Sequence, residues 1–263
     1  MKRQSRPHVS SLPKITANMD ILYVIGRGST WDNNELKYSL RSLEKNCKNV
    51  GRIFIVGYCP NFIDKKKVTF IPVDDEQDCK HKNIMRCIEV AVEQSNISDD
   101  FLYSSDDHFY ILPTDFANYP FFRKPVEMPE SYDNCNAYHK TLASTRMVLE
   151  AAGLTTYNFS WHGNTHFNKT LFNEPQFAAI RKISYYMQLG CEPSILMLNY
   201  WLSKRPFEIT DRADRKFGKE VDRDGFMQGI EGRECISCAS GVTKSYIRTY
   251  LAETFPDKSK YEL

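Results

Sequence analysis

Two adjacent aspartates, Asp106 and Asp107, followed by His108, are the residues of this sequence best suited to chemistry. They come directly after Phe101-Leu-Tyr-Ser-Ser105. Two carboxylates therefore sit at the end of a predicted buried strand and repel one another unless a cation arrives. Their hard oxygens suit Mg²⁺ or Mn²⁺, an ion that bridges carboxylates to substrate phosphates and keeps several waters. An Asp-Asp pair at a strand end also serves as a solvated turn or helix cap, so context has to decide. Gly26-Arg27-Gly28-Ser29-Thr30 follows another apolar run. Glycines there allow close backbone approach to a phosphate and Arg27 can pair with it; an ordinary tight turn is the alternative. The motif is neither a complete G-x-G-x-x-G nor a P-loop, so the standard dinucleotide and ATP readings lack their fingerprint. Asp74-Asp75 closes a further apolar run, where a carboxylate can accept from a base N–H or a ribose hydroxyl, or simply be solvated. His81-Lys82-Asn83 opens a helix, where backbone N–H groups and Lys82 favour an anion; a solvated first turn competes.

The elements that must position these groups follow from hydrophobic periodicity. Short apolar runs at Asp20–Ile25, Arg52–Val56, Val68–Val73 and Phe101–Ser105 read as strands. Leu36, Leu40 and Leu43 recur on one face of a helix from about Asn33 to Asn46, with Asp32-Asn-Asn-Glu35 as an N-cap and its acidic partner. Ile84, Ile88, Ala91 and Val92 mark a second helix from about Lys80 to Gln94. Strand, helix, strand, strand, helix, strand predicts an α/β layer with a mostly parallel sheet, whose ligands collect at the carboxyl ends of the strands. Beyond Pro113, helices are expected near Ala137–Ala152, Leu171–Met187, Ser194–Leu202 and Thr243–Thr254.

Composition bounds the partners. The chain has 263 residues, 41% of them hydrophobic, enough for one large core, and 35 basic against 33 acidic residues leave a net charge of +2. That balance supplies no field strong enough to indicate nucleic acid by charge alone. The eight cysteines lack the dense spacing of a secreted disulfide scaffold, which favours a reduced, cytoplasmic protein. Cys235-Ile-Ser-Cys238 is a lone C-x-x-C without the two further ligands a zinc site needs. No signal peptide and no membrane span is expected, because Met1–Ala17 is polar and basic and no later segment is apolar for the width of a bilayer.

Four blocks, Asp20-Ile-Leu-Tyr-Val24, Trp31 to Glu44, Arg52-Ile-Phe-Ile-Val56 and Phe101 to Phe109, resemble the signature blocks of the Stealth family of sugar-phosphate transferases, relatives of GT-A-type nucleotide-sugar glycosyltransferases. The ending Phe255-Pro-Asp-Lys-Ser-Lys-Tyr-Glu262 is similar to the closing motif of such transferases. The resemblance implies a GT-A-like, Rossmann-like α/β fold with a more helical acceptor half. Residues 1–18 would be a polar lead-in and residues 19–263 one transferase domain, divided into a nucleotide-sugar half (19–112) and an acceptor half (113–263). It further implies a nucleotide-sugar donor, a UDP-sugar for preference, whose diphosphate is held by Mn²⁺ or Mg²⁺. Carried across, Asp107 is the metal ligand, Asp106 its donor-side neighbour, and Asn34 and Arg41 are the polar positions of the helix block. A D-x-D motif ending at Asp107 would have a carboxylate where this chain has Ser105.

Trp161-His162-Gly-Asn-Thr-His166-Phe-Asn-Lys169 resembles the histidine-bearing downstream block of these transferases. By that likeness His166 completes the metal shell or contacts the donor phosphate, and Trp161 stacks on a sugar or base with His162 beside it on the acceptor side. Donor contacts are expected from Gly26, Arg27, Gly28, Asp74, Lys82, Asn83 and Asp106. A base for the acceptor hydroxyl is sought among His166, Asp224 and His108. Residues 211–216 and 220–225 form a mixed-charge stretch that either stays solvated or closes over the donor. The expected reaction is transfer of the sugar to a hydroxyl of a glycan, a protein or a modified nucleic-acid base; sugar-1-phosphate transfer and a non-catalytic binding module are the alternatives.

Overall fold

The computed structural model describes residues 18–133, 135–211, 215–239, 242 and 246–263. The chain begins with β1 (Met19–Ile25) and α1 (Asn34–Asn46), then β2 (Cys47–Lys48), β3 (Val50–Gly57), β4 (Thr69–Pro72), α2 (Lys80–Gln94) and β5 (Asp100–Ser104). Short strands β6 (Phe109–Tyr110), β7 (Thr114–Asp115) and β8 (Phe121–Arg123) follow, then α3 (Ala137–Ala151) and β9 (Thr165–Asn168). The remainder comprises α4 (Lys169–Phe172), α5 (Pro175–Tyr186), α6 (Pro193–Lys204), β10 (Ile209–Asp211), β11 (Arg215–Phe217), α7 (Arg223–Ile230), β12 (Cys235–Cys238) and α8 (Tyr246–Thr254).

The central sheet has the order β4-β3-β1-β5-β9. β4, β3, β1 and β5 are parallel, and β9 runs antiparallel to β5. Its four parallel strands read as mostly apolar runs because both faces are covered. Leu22, Phe54, Val56, Phe101 and Phe167 pack with Met85 and Ile88 of α2, Leu149 of α3 and Leu198 of α6. Ile21, Tyr23, Ile53, Ile55 and Leu102 pack with Leu36, Leu40 and Leu43 of α1 and with Tyr110, Phe116 and Trp161. The chain leaves β1 toward β3 and β4 on one side and returns to β5 on the other. The crevice at the carboxyl ends of β1 and β5 is thus the topological switch point, the place where such sheets receive ligands. Gly57 shapes this end: its φ is +97°, and a Cβ there would lie 2.3 Å from the Ile25 carbonyl oxygen, so only glycine fits.

The α/β layer and its mostly parallel sheet are as expected. In the second half the outcome is mixed. The helix expected over Leu171–Met187 is two helices, α4 and α5, because Pro175 cannot continue a helix but suits the first position of a new one. The window Trp161–Lys169 holds the sheet strand β9 rather than a polar loop. Most of the N-terminal lead-in, the Arg212–Asp214 part of the mixed-charge stretch and the expected start of the last helix at Thr243 lie outside the described residues. Among the described residues no helix is long and apolar enough to cross a membrane.

Arg41 of α1 grips the last segment of the chain. Its guanidinium donates to both carboxylate oxygens of Glu262, at 2.8 and 2.7 Å, and to the carbonyls of Phe255 and Pro256, each at 3.0 Å. Burial works to raise the Glu262 carboxyl, but the bonds from Arg41 and Ser259 outweigh it and hold it below its ordinary value. Its stabilisation is therefore present above about pH 4.5 and lost as pH falls through the lower folded value. Glu262→Gln is expected to cost about 3 kcal/mol at pH 7 and progressively less as the pH is lowered below 4.5, read from thermal melts across that range.

Candidate active site

Asp106 and Asp107 follow β5 at the switch point, half-buried. The Asp106 carboxyl is pushed up to about 7, first by burial and then by the charges of Asp107 and Glu35, with Lys80 opposing. Glu35 is 5% exposed in the first turn of α1. Its carboxylate accepts from Ser29 Oγ at 2.8 Å, and the same Oγ accepts from the backbone N–H groups of Trp31 and Asn33. Ser29 thus organises the turn that leads into α1, and no side chain caps the helix as was expected of Asp32. Asp32 and Asn33 have left-handed φ values of 50° and 57°, and the Asn33 side chain makes no cap hydrogen bond. His108 is buried, its Nε2 4.0 Å from Asp107 Oδ1 and its Nδ1 3.4 Å from Ser104 Oγ.

A second charged group stands close by. Glu192, at the N-cap of α6, lies 3.2 Å from His81 Nε2. Burial acts to raise its carboxyl, but His81, Lys80 and Lys124 together hold it below the ordinary carboxylate range. Lys124 Nζ is 3.4 Å from His162 Nε2. Burial and then the charges of Lys124, Lys216 and His108 push His162 down to about 2, so it is neutral at any working pH. Acidic groups (Asp106, Asp107, Glu35) and basic ones (Lys80, Lys124, Lys216) are therefore brought to the same end of the sheet.

The sequence-predicted residues divide. Gly26 and Gly28 are at the end of β1, where a Cβ would meet only Asp75 Oδ2 at 3.7 Å in the first case and nothing within 4 Å in the second. Neither has a positive φ, so the fold itself does not demand glycine at either position. Arg27 lies 3.8 Å from Asp74, both side chains exposed, and covers the Tyr58 ring. Lys82 is spent on Asp78 at 2.9 Å, and Asn83 clasps the backbone of Gln77 through both side-chain atoms. These two brace the loop before α2 instead of offering themselves to an anion; Lys80, two residues before Lys82, faces the carboxylates.

His166 is a structural residue rather than the expected metal ligand or base. It is 5% exposed, its Nε2 donates to the Tyr119 carbonyl at 2.8 Å, and its ring stacks on Phe121 at 4.1 Å. Burial lowers it to about 4. Trp161 likewise packs against Phe122 at 4.4 Å and covers Gly163, with 7% exposure, so its indole is part of the core and not a platform. Asp224 is exposed in the first turn of α7, and Asn34 holds the Trp31 carbonyl at 2.8 Å. Cys235 and Cys238 are buried thiols on one strand, β12.

Sequence reasoning passed over Glu35, Lys80, Lys124, Glu192 and Lys216. Glu35 was visible as a carboxylate on an otherwise inward helical face, and Glu192 as a charge beside the apolar run Ile195–Leu198; the lysines carried no local signal. Among the described residues no three His, Cys, Asp or Glu side chains converge as a metal site. Asp106 and Asp107 fit a divalent ion that takes its other ligands from water and phosphate, and the raised Asp106 carboxyl marks where positive charge is wanted.

A carboxyl raised on folding gives stability that is present below its unfolded value and lost as pH climbs through about 7. Asp106→Asn in metal-free buffer should therefore melt together with wild type near pH 4 and roughly 2–6 °C above it at pH 8, and millimolar Mn²⁺ should remove that advantage by stabilising wild type alone.

No protein-family model matches the chain, and no curated protein matches its sequence. Among solved structures it is similar to the galactosyltransferase LgtC in complex with donor and acceptor sugar analogues, with 10% identity over 92% of this chain and 98% of that one and a TM-score of 0.50. An active-site mutant of LgtC gives 12% identity with the same coverage and TM-score. At such identity the likeness is one of fold: a mixed α/β architecture with a central, mostly parallel sheet flanked by helices, that of the GT-A enzyme LgtC.

Proposed function

We propose that this chain is a glycosyltransferase that moves a sugar from a nucleotide-sugar donor, a UDP-sugar, to a hydroxyl acceptor, with Mn²⁺ or Mg²⁺ held by Asp106 and Asp107. The observation that carries the reading is the carboxylate pair at the end of β5, set across the switch point from a glycine loop at the end of β1 whose glycines the fold does not require. The room left at Gly26 and Gly28 suits close approach of a phosphate-bearing ligand to backbone. When bound, the divalent ion would neutralise charge on the departing diphosphate.

The chain's own residues contribute the rest. Lys124, half-buried, and Lys216, exposed on β11, bring positive charge to a neutral His162 and supply it for the leaving phosphate. Glu192 is kept ionised by His81, Lys80 and Lys124, so it is free to take the proton of an acceptor hydroxyl, although the same cations lower its basicity. It takes over the part first sought in His166 and Asp224. The eight free thiols suit work in a reducing, cytoplasmic compartment.

Asp107→Ala should lower turnover of a UDP-sugar at least 10³-fold while the melting temperature changes by no more than about 2 °C; undiminished turnover in that variant would sink the assignment. EDTA should abolish wild-type turnover and Mn²⁺ restore it. The nucleotide released identifies the reaction: a nucleoside diphosphate means glycosyl transfer, and a monophosphate means the sugar-1-phosphate transfer implied by the Stealth resemblance.

A further inference from the structure

Two tyrosines near the site stay exposed on backbone that is firmly held. Tyr157 is 38% exposed and Tyr138 39%. The backbone of Tyr157 is clamped from α6 by Asn199, a side chain with no exposure, which accepts from its N–H at 3.0 Å and donates to its carbonyl at 2.9 Å. Asn158 ties the same segment to the end of β8: its carbonyl accepts from Lys124 N at 2.7 Å, and its amide donates to the Val126 carbonyl at 3.1 Å. The Arg123 guanidinium lies 4.9 Å from the Tyr157 ring centroid. Tyr138, at the start of α3, reaches this segment through a hydrogen bond between its hydroxyl and Ser160 Oγ. Ser160 stands two residues before His162, whose partner Lys124 lies within electrostatic reach of Glu192.

A single exposed ring is ordinary on a protein surface, and Tyr186 is more exposed still, at 78%; Tyr157 and Tyr138 differ in that both are tied to the one ordered segment that leads to His162. Ordering such rings in advance lowers the conformational entropy lost on binding, which is how an amphipathic ring becomes an anchor for a ligand. We propose that Tyr157 and Tyr138, with Arg123 behind Tyr157, form the acceptor subsite and that its occupant is the ring of a saccharide. The apolar face of a sugar ring would lie on Tyr157, while its hydroxyls meet the polar edge made by Tyr138 and Ser160. A nucleobase would also stack on tyrosine, but its phosphodiester backbone needs a run of cations to track it. The net charge of +2 and the use of Arg123 against a ring speak against that occupant. The platform takes the place in the reading that Trp161 was expected to fill, and it rests on the glycosyltransferase reading.

Hydrolysis of the donor to water reports the donor site without any acceptor. In Tyr157→Ala and Tyr138→Ala, hydrolysis of UDP-glucose or UDP-galactose should stay within about twofold of wild type. Transfer to p-nitrophenyl glycosides should lose about tenfold in kcat/KM, through KM, and Tyr157→Phe should restore most of it. An unchanged acceptor KM, or an equal loss of hydrolysis and transfer, would overturn the assignment. Binding of wild type and Tyr157→Ala to an array of neutral oligosaccharides, with fluorescent oligo(dT) as the competing probe, tests the platform even when no UDP-sugar is hydrolysed. Saccharide binding that Tyr157→Ala abolishes supports the subsite and leaves only the donor reading to fail. Oligo(dT) binding that the same variant abolishes replaces the saccharide with nucleic acid and overturns the proposal.

Discussion

Like charges brought close together set the terms for the carboxyl end of this sheet. Asp106 and Asp107 are covalent neighbours, and Glu35 is turned toward them from α1. Folding that confines three carboxylates works against Coulomb repulsion and desolvation together. The surrounding structure meets this only in part: Ser29 donates to Glu35, and Lys80 supplies one compensating charge. The rest is left outstanding, as is common where stability is given up for function. The order of the strands makes the arrangement unavoidable, because the reversal at β1 brings the ends of β1 and β5 side by side and leaves the space above them uncovered by a crossover helix.

The first hundred residues were largely legible. The apolar runs and the 3.6-residue period of Leu36, Leu40 and Leu43 fixed strands and helices to within a few residues, since both signals are local. The start of α1 was misread because Asp32 and Glu35 have the right spacing for a capping pair, and nothing local reveals that Glu35 is held by Ser29 and that no side chain caps the helix. Lys80 and Lys82 could not be told apart by sequence. Asp78, four residues before Lys82, captures it, and Lys80 turns to the sheet.

The second half was harder to read because its order is tertiary. Thr165-His-Phe-Asn168 looks polar, yet every residue in it is buried. The polar atoms find partners far away: Asn168 donates to Asp99 and Asp100, at 2.9 and 2.7 Å, and His166 to Tyr119. The aromatic rings of this half are mostly core. Phe121 alone stacks on His166 and on Phe207, and the rings of Tyr119, Phe122 and Trp161 fill the space beside them. This density of rings accounts for the burial of Trp161.

The antiparallel strand β9 has a consequence for the order of assembly. β5 pairs with β1 on one side and with β9 on the other, and β9 arrives about sixty residues later in the chain. Until it does, Asp100–Ser104 is a bare strand edge of mostly buried residues, with unpaired N–H and C=O groups ready to join another chain. The acidic pair rides on that same edge. A half-made polypeptide would therefore be at its most self-adhesive just where the finished protein carries its carboxylates, and charge repulsion between copies at Asp106 and Asp107 would act as a gatekeeper against fibrillar stacking until the missing strand closes the sheet.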